Sequence, residues 1–278
     1  MSTLVMKFPE GRGKVLTFSY DDGVVQDKRF IELLDKYSLK GTFNLNSRVF
    51  FERDPKWTEY WLPLTLEEAK ETYVGHEIAC HTYSHPYPHA ISQTDMVVEV
   101  IRDREILERE FGTVVKGMAY PMGTYNDDVV EALKVCGISY SRTVHTTGSF
   151  NFPPENWLTL HPTAKHTDPR LFDLADNFIA MGDVSLRPVN YMFYVWGHTY
   201  EFYRDNNWEL IENFCEKMSG HDDIWYATNI EIYNYQKAFE SLERSVDNSI
   251  IKNPTSIDLW ALLDGKVIKI PAGETFRK

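Results

Sequence analysis

The sequence is poor in the features that mark nucleic-acid binders, disulfide scaffolds and membrane proteins. It has no basic tract: 29 Lys and Arg stand against 41 Asp and Glu, for a net charge of −12. Phosphate backbones are held by clustered cations, so no nucleic-acid partner is expected. Cysteine is scarce. Cys80, Cys136 and Cys215 form an odd set without C-x-x-C spacing. That argues against a disulfide framework or structural zinc finger and fits a reducing compartment. Met1 to Lys14 holds no apolar run of the signal-peptide kind, and no later run is long enough to span a bilayer. The expectation is therefore a cytoplasmic enzyme with no membrane partner. Internal repeats and low-complexity segments are also missing.

What is present is an ordinary globular composition with many aromatic residues, 16 Tyr, 16 Phe and 7 Trp. These fit either a large aromatic core or ring faces on which a sugar stacks. Strand-like and helix-like segments alternate along the chain. Val15–Tyr20 reads as a strand, and Phe30, Leu33, Leu34 and Tyr37 follow at helical spacing. Gly41–Asn46 reads as the next strand, and Thr65 with Glu68 makes a capping box for a helix. Glu77–His81 is the third strand, before a helix over Thr94–Phe111 that stops at Gly112. Val114–Tyr120 and Ile138–Arg142 are strands separated by a helix capped by Asn126.

Further on, Asp168–Pro169 is the expected start of another helix. Asn190–Trp196 and Ile224–Ala227 are strands six and seven, with an amphipathic helix over Trp208–Met218 between them. Asn229 is the expected cap of the last long helix. Seven β–α units predict an α/β fold with a mainly parallel sheet closing as a barrel. A hairpin over Ile257–Leu262 and Lys266–Ile270, turning at Asp264–Gly265, reads as a C-terminal appendage. The expected organisation is one domain over 1–278, with a catalytic core of about 14–245 and an appendage of about 250–278.

In barrels of parallel strands, chemistry gathers at the C-terminal strand ends. Asp21 and Asp22 follow strand one, His81 ends strand three with His85 four residues on, Arg142 ends strand five, and His198 follows strand six. Each group alone has a plain structural reading. Asp–Asp–Gly makes turns, H-T-Y-S-H could cap, and a histidine in W-G-H-T could bond a buried carbonyl. Together they make a set. Asp22, His81 and His85 are three ligands for a divalent cation with a position left for water. Asp21 is then the general base, and His198 the acid that protonates the leaving group. This set hydrolyses an amide or an ester. Zn is the first expectation for the cation, with Co, Ni or Mn as alternatives. The remaining histidines, His76, His89, His145, His161, His166 and His221, read as structural or exposed.

At these residues the chain resembles the polysaccharide deacetylases with a NodB homology domain, carbohydrate esterase family 4. T-F-S-Y-D-D-G matches the family's T-F-D-D-G, H-T-Y-S-H its H-S/T-x-x-H, and W-G-H its closing L-x-H. The resemblance covers roughly Lys14 to His198. It implies a distorted (β/α)7 barrel, Asp21 as base, Asp22, His81 and His85 as metal ligands, and His198 as acid. The third motif departs: A-Y-P-M-G stands where R-P-P-Y-G is usual, so Ala119 replaces an arginine that orients the base. Arg142 is expected to supply that guanidinium from the next strand. The Met122 backbone N–H is a candidate oxyanion donor, which needs no particular side chain. Trp196 and Tyr120 are candidates for an apolar pocket around the acetate methyl. Cys80, adjacent to His81 on a strand, should point away from the metal.

The activity implied is removal of N-acetyl or O-acetyl groups from a saccharide. Hydrolysis of cyclic amides or ureides on the same fold is the alternative, favoured by the altered third motif. A sugar-binding protein without catalysis is the third reading. Trp260 in the C-terminal segment is a candidate contact for a homo-oligomer.

Overall fold

The computed structural model describes residues 3–52, 54 and 57–278. The strands in chain order are β1 Leu4–Lys7, β2 Lys14–Asp21, β3 Gly41–Leu45, β4 Glu77–Cys80, β5 Gly117–Ala119, β6 Tyr140–Arg142, β7 Asn151–Phe152, β8 Ala164–Lys165, β9 Asn190–Gly197 and β10 Ile224–Tyr226. The C-terminal strands are β11 Glu243–Arg244, β12 Ile250–Lys252, β13 Leu259–Leu263, β14 Lys266–Ile270 and β15 Thr275–Arg277. The α-helices are α1 Asp27–Lys36, α2 Leu66–Thr72, α3 Gln93–Phe111, α4 Asp127–Val135, α5 Leu171–Ala180, α6 Thr199–Arg204, α7 Trp208–Met218 and α8 Asn229–Glu240.

The architecture is the expected α/β one, a parallel sheet curled into a distorted barrel. Strands β6, β5, β4, β3, β2 and β9 lie side by side in that order, all parallel. The far edge of β9 takes β7, antiparallel, near its start and β8, parallel, near its end. Leu160 bridges Arg142 of β6, with Thr143 N–H bonded to the Leu160 carbonyl at 2.9 Å. Residues 160–165 thus run from β6 to β9 and bring the sheet's two edges together. The expected seventh strand does not do this. β10 lies instead beside the first three residues of β2, Lys14–Leu16.

All eight residues of β2 are buried, because each face has something to meet. Leu16, Phe18 and Tyr20 pack with Phe30, Leu34 and Phe43 under the outer helices. The other face is polar. Thr17 donates to Asn229 Oδ1 at 2.9 Å, Asn44 Nδ2 donates to Ser19 Oγ at 2.8 Å, and Asn229 Nδ2 donates to the Tyr194 hydroxyl at 2.6 Å. Glu77 accepts from Thr42 at 2.8 Å and from Tyr140 at 2.7 Å. The barrel interior is therefore a hydrogen-bonded column, which satisfies buried polar groups as burial demands.

Several local expectations are borne out. Thr65 and Glu68 form both halves of a capping box. Asn126 accepts from Val129 N at the start of α4, and α3 ends on Gly112 at φ +67°. Two caps are corrected. Thr228, with Glu231, caps α8, while Asn229 turns inward to the barrel column. Asp168 accepts from Arg170 N at 2.9 Å in a local turn, so α5 begins at Leu171 without a side-chain cap. Strand β5 is shorter than expected, since only Gly117–Ala119 pair.

The C-terminal hairpin is present as β13 and β14, turning through Asp264 at φ +48° and Gly265 at φ +79°. It does not stand alone. β1 pairs antiparallel with β13, so the chain's first strand joins its last elements. Strands β11, β12 and β15 form a further small antiparallel sheet. Among the described residues no helix is long and apolar enough to cross a membrane.

Candidate metal and catalytic site

The C-terminal ends of β2, β4, β6 and β9 surround one cavity of about 590 Å³, into which Asp21, Asp22, His81, His85 and His198 open. Tyr120, Met122 and Trp196 line it as well. Every site residue expected from the sequence except Arg142 touches this space. Arg142 lies fully buried beside Asp21.

Asp22 sits at φ +82°, a conformation that a non-glycine residue adopts only when its surroundings hold it there. Its Oδ2 accepts from the Trp61 indole N–H at 3.0 Å. Its Oδ1 is buried and has no hydrogen-bond partner among the described residues. That oxygen lies 3.8 Å from His81 Nε2 and 3.8 Å from His85 Nε2. One ligand atom from each residue falls within 4.8 Å of the others. Tetrahedral ligands about 2.0–2.1 Å from a zinc ion are about 3.3 Å apart, so a small contraction would close the set on a cation. His81 Nδ1 lies 2.8 Å from the Ala119 carbonyl oxygen, which turns Nε2 towards Asp22. Burial, with His85 beside it, lowers the His81 pKa to about 4 against the pull of Asp21 and Asp22. The ring is neutral and its lone pair is free to ligate. The donor set thus fits a divalent cation.

Asp21 is held from two sides. Asn44 Nδ2 donates to its Oδ1 at 2.8 Å, and the Arg142 guanidinium donates to its Oδ2. Burial alone would raise the Asp21 carboxyl; Arg142, His81 and His198 outweigh it and hold the carboxyl below its ordinary value. Arg142 itself stacks over the Trp196 ring at 4.5 Å and donates to the Thr143 carbonyl at 3.2 Å. Asp21 is thus paired with a guanidinium that comes from β6.

His198 Nε2 lies 3.8 Å from Asp21 Oδ2, and its Nδ1 lies 3.6 Å from Glu201 Oε2. Burial would lower the His198 pKa, but Glu201, Asp22 and Asp21 together raise it. Glu201 is in turn held by Lys165 at 2.6 Å and His166 at 3.2 Å. Burial would raise the Glu201 carboxyl, yet hydrogen bonds with His166, His198 and Lys165, and the charge on His198, keep it well below the carboxylate range. Sequence reasoning passed over Asn44, Glu201 and Trp61. Glu201 had a signal, since it falls one helical turn after His198. Asn44 and Trp61 had none, because strand pairing and a long loop bring them in.

Two expectations are refined. The Tyr120 hydroxyl donates to the Leu158 carbonyl at 2.7 Å, so only its ring, stacked on Tyr125, faces the cavity. Met122 occupies φ +54°, a strained turn that projects the residue at the cavity edge. Cys80 is buried in the outer core, away from the cavity, as its place on the strand implied.

Residues 9–141 match the polysaccharide deacetylase family model. A Mycobacterium smegmatis protein described as a polysaccharide deacetylase superposes over 87% of this chain and 96% of its own, at 16% identity and a TM-score of 0.58. A carbohydrate esterase family 4 pseudoenzyme from Bacillus anthracis superposes over 82% of this chain and 68% of its own, at 17% identity and a TM-score of 0.51. A Streptococcus pyogenes deacetylase solved with acetate aligns over 51% of this chain and 61% of its own, at 22% identity and a TM-score of 0.46. At these identities the likeness to the Mycobacterium smegmatis and Bacillus anthracis proteins speaks for the fold alone. No curated protein matches the sequence.

Proposed function

We propose that this chain, whose residues 9–141 match the polysaccharide deacetylase family model, is a metal-dependent hydrolase that removes acetyl groups from an amino sugar or sugar ester. The observation that carries the reading is the buried, unpartnered Asp22 Oδ1 facing two imidazole nitrogens at 3.8 Å, with Asp21 and His198 on the same cavity. Asp22, His81 and His85 would hold a divalent cation, which when bound would supply Lewis-acid polarisation of the acetyl carbonyl and of a water. Zn suits two imidazoles and a carboxylate.

The chain's own residues divide the proton work. Asp21, ionised, accepts the proton of the attacking water, while Arg142 and Asn44 fix the carboxylate in place. His198, whose hold on a proton is strengthened by Glu201, Asp22 and Asp21, delivers that proton to the departing nitrogen or oxygen. The Met122 backbone N–H is the proposed donor to the developing oxyanion. The rings of Trp196 and Tyr120 supply an apolar wall for the methyl group.

The cyclic-amide alternative drew its force from the missing motif arginine, and Arg142 on Asp21 supplies that charge from another strand. Against the sugar-binding reading stand Asp21, Asp22, His81, His85 and His198, which share one cavity. The test pairs bound-metal content with acetate release from N-acetylated and O-acetylated saccharides, with cyclic imides alongside and Asp22→Ala as control. One metal per chain and acetate release that needs Asp22 support the proposal. Turnover of the imides alone, or sugar binding without turnover, refutes it.

A further inference from the structure

The segment that carries Trp61 is fastened beside Asp22. Val25 N–H donates to the Leu62 carbonyl at 2.8 Å, Leu64 N–H donates to the Gly23 carbonyl at 3.0 Å, and Val24 bridges Pro63 in antiparallel sense. Gln26 Nε2 adds a bond to the Glu59 carbonyl at 3.3 Å. Residues 59–64 are thereby zipped onto residues 23–26, immediately after Asp22. The result places the Trp61 indole N–H on Asp22 Oδ2 at 3.0 Å, leaving Oδ1 as the oxygen that faces His81 and His85.

A carboxylate can bind a cation through one oxygen or two, and a donor fixed on the second oxygen selects the first. The Trp61 side chain has no other hydrogen-bonding capacity than this one N–H, so here the group is committed to the carboxylate. Its ring also forms part of the wall of the main cavity and of an adjoining cavity of about 410 Å³, which Arg48, Tyr83 and Ser84 line further out. The same side chain thus touches the would-be ligand and the space beside it.

We propose that Trp61 is a positioning residue for the cation site, holding Asp22 in single-oxygen geometry through its indole N–H. This rests on the reading of Asp22, His81 and His85 as a metal centre. Trp61→Phe keeps the ring and removes the donor. Apo protein is titrated with Zn2+ in competition with a chromophoric chelator, for wild type, Trp61→Phe and Trp57→Phe. Trp57 is the neighbouring ring, 5.9 Å from Trp61. Loss of an outer hydrogen-bond partner lowers metal affinity by roughly 10- to 100-fold. That drop is expected for Trp61→Phe alone, with the apo protein still folded and its melting temperature lowered by no more than a few degrees. The visible spectrum of the Co2+-loaded protein should change in the same variant, as the carboxylate is freed to bind through both oxygens. Equal Zn2+ affinity in wild type and Trp61→Phe overturns the proposal while leaving the metal centre standing. An equal loss in both variants overturns it too, because the effect is then a general disturbance of the loop. No Zn2+ uptake by wild type removes the metal centre itself, and this proposal with it.

Discussion

Replacing Arg142 by methionine removes one charge from the interior while keeping a chain that fills the space over Trp196. The wild-type guanidinium is fully buried and paired with Asp21, which is buried as well. Removing one partner of a buried ion pair strands the other charge, at a cost of about 3–5 kcal/mol. The pH dependence carries a sharper signature. In the wild type the Asp21 carboxyl is held low, so its contribution to stability is present above the ordinary carboxylate value and is lost as pH falls. Without Arg142, burial is the largest influence left and pushes that carboxyl upward. The folded variant then binds a proton more tightly than the unfolded chain, and its stability falls as pH rises. The difference in urea midpoint between wild type and Arg142→Met should therefore be smaller near pH 4 than near pH 8. Acetate release should fall by about 10²–10⁴-fold near neutrality, the range a general base contributes, and recover partly in Arg142→Lys. A midpoint difference that stays constant with pH, together with unchanged turnover, would refute the reasoning.

Glu201→Gln removes the charge that raises the His198 pKa, so burial dominates and the pKa falls. The general acid must be protonated, so the high-pH limb of kcat should move to lower pH while bound metal stays constant; an unmoved limb counts against His198 as the acid. Glu77 is buried and its pKa is raised from 4.5 to about 7 by that burial, against hydrogen bonds from Tyr140, Ile230 and Thr42. Its folded form holds a proton that the unfolded chain releases, so stability declines between pH 4.5 and 7 by up to about 3 kcal/mol. Urea titrations of Glu77→Gln should show that decline flattened, and an identical slope would dismiss the buried acid as its source. Adding Zn2+ to apo protein at 100 times its dissociation constant should stabilise the fold by about 2.7 kcal/mol, read as a rise in melting temperature that Asp22→Ala abolishes.

How much of this was legible depended on whether the relevant partners were close in sequence. Period-two and period-3.6 patterns located the main strands and helices, because side-chain alternation is a local property. Asp21, Asp22, His81, His85 and His198 were legible because each follows a strand end, and a parallel sheet brings those ends to one side. Arg142 was reachable by the same register argument, and its ion pair with Asp21 spans 121 residues without any local sign of it.

What escaped was set by long-range pairing. The Leu4–Lys7 strand finds its partner at Trp260–Leu263, and nothing in four residues announces that. The segment that joins β6 to β9 contains Pro162 and a two-residue strand, too short for periodicity to register. The misplaced cap at Asn229 follows from the same cause. Its carboxamide is a good capping group locally, but the barrel column offers it Thr17 and Tyr194, and Thr228 stands one residue earlier with Glu231 to complete a box. Local chemistry lists what a side chain can do, and the choice among those roles is made by whichever buried polar group would otherwise be left without a partner.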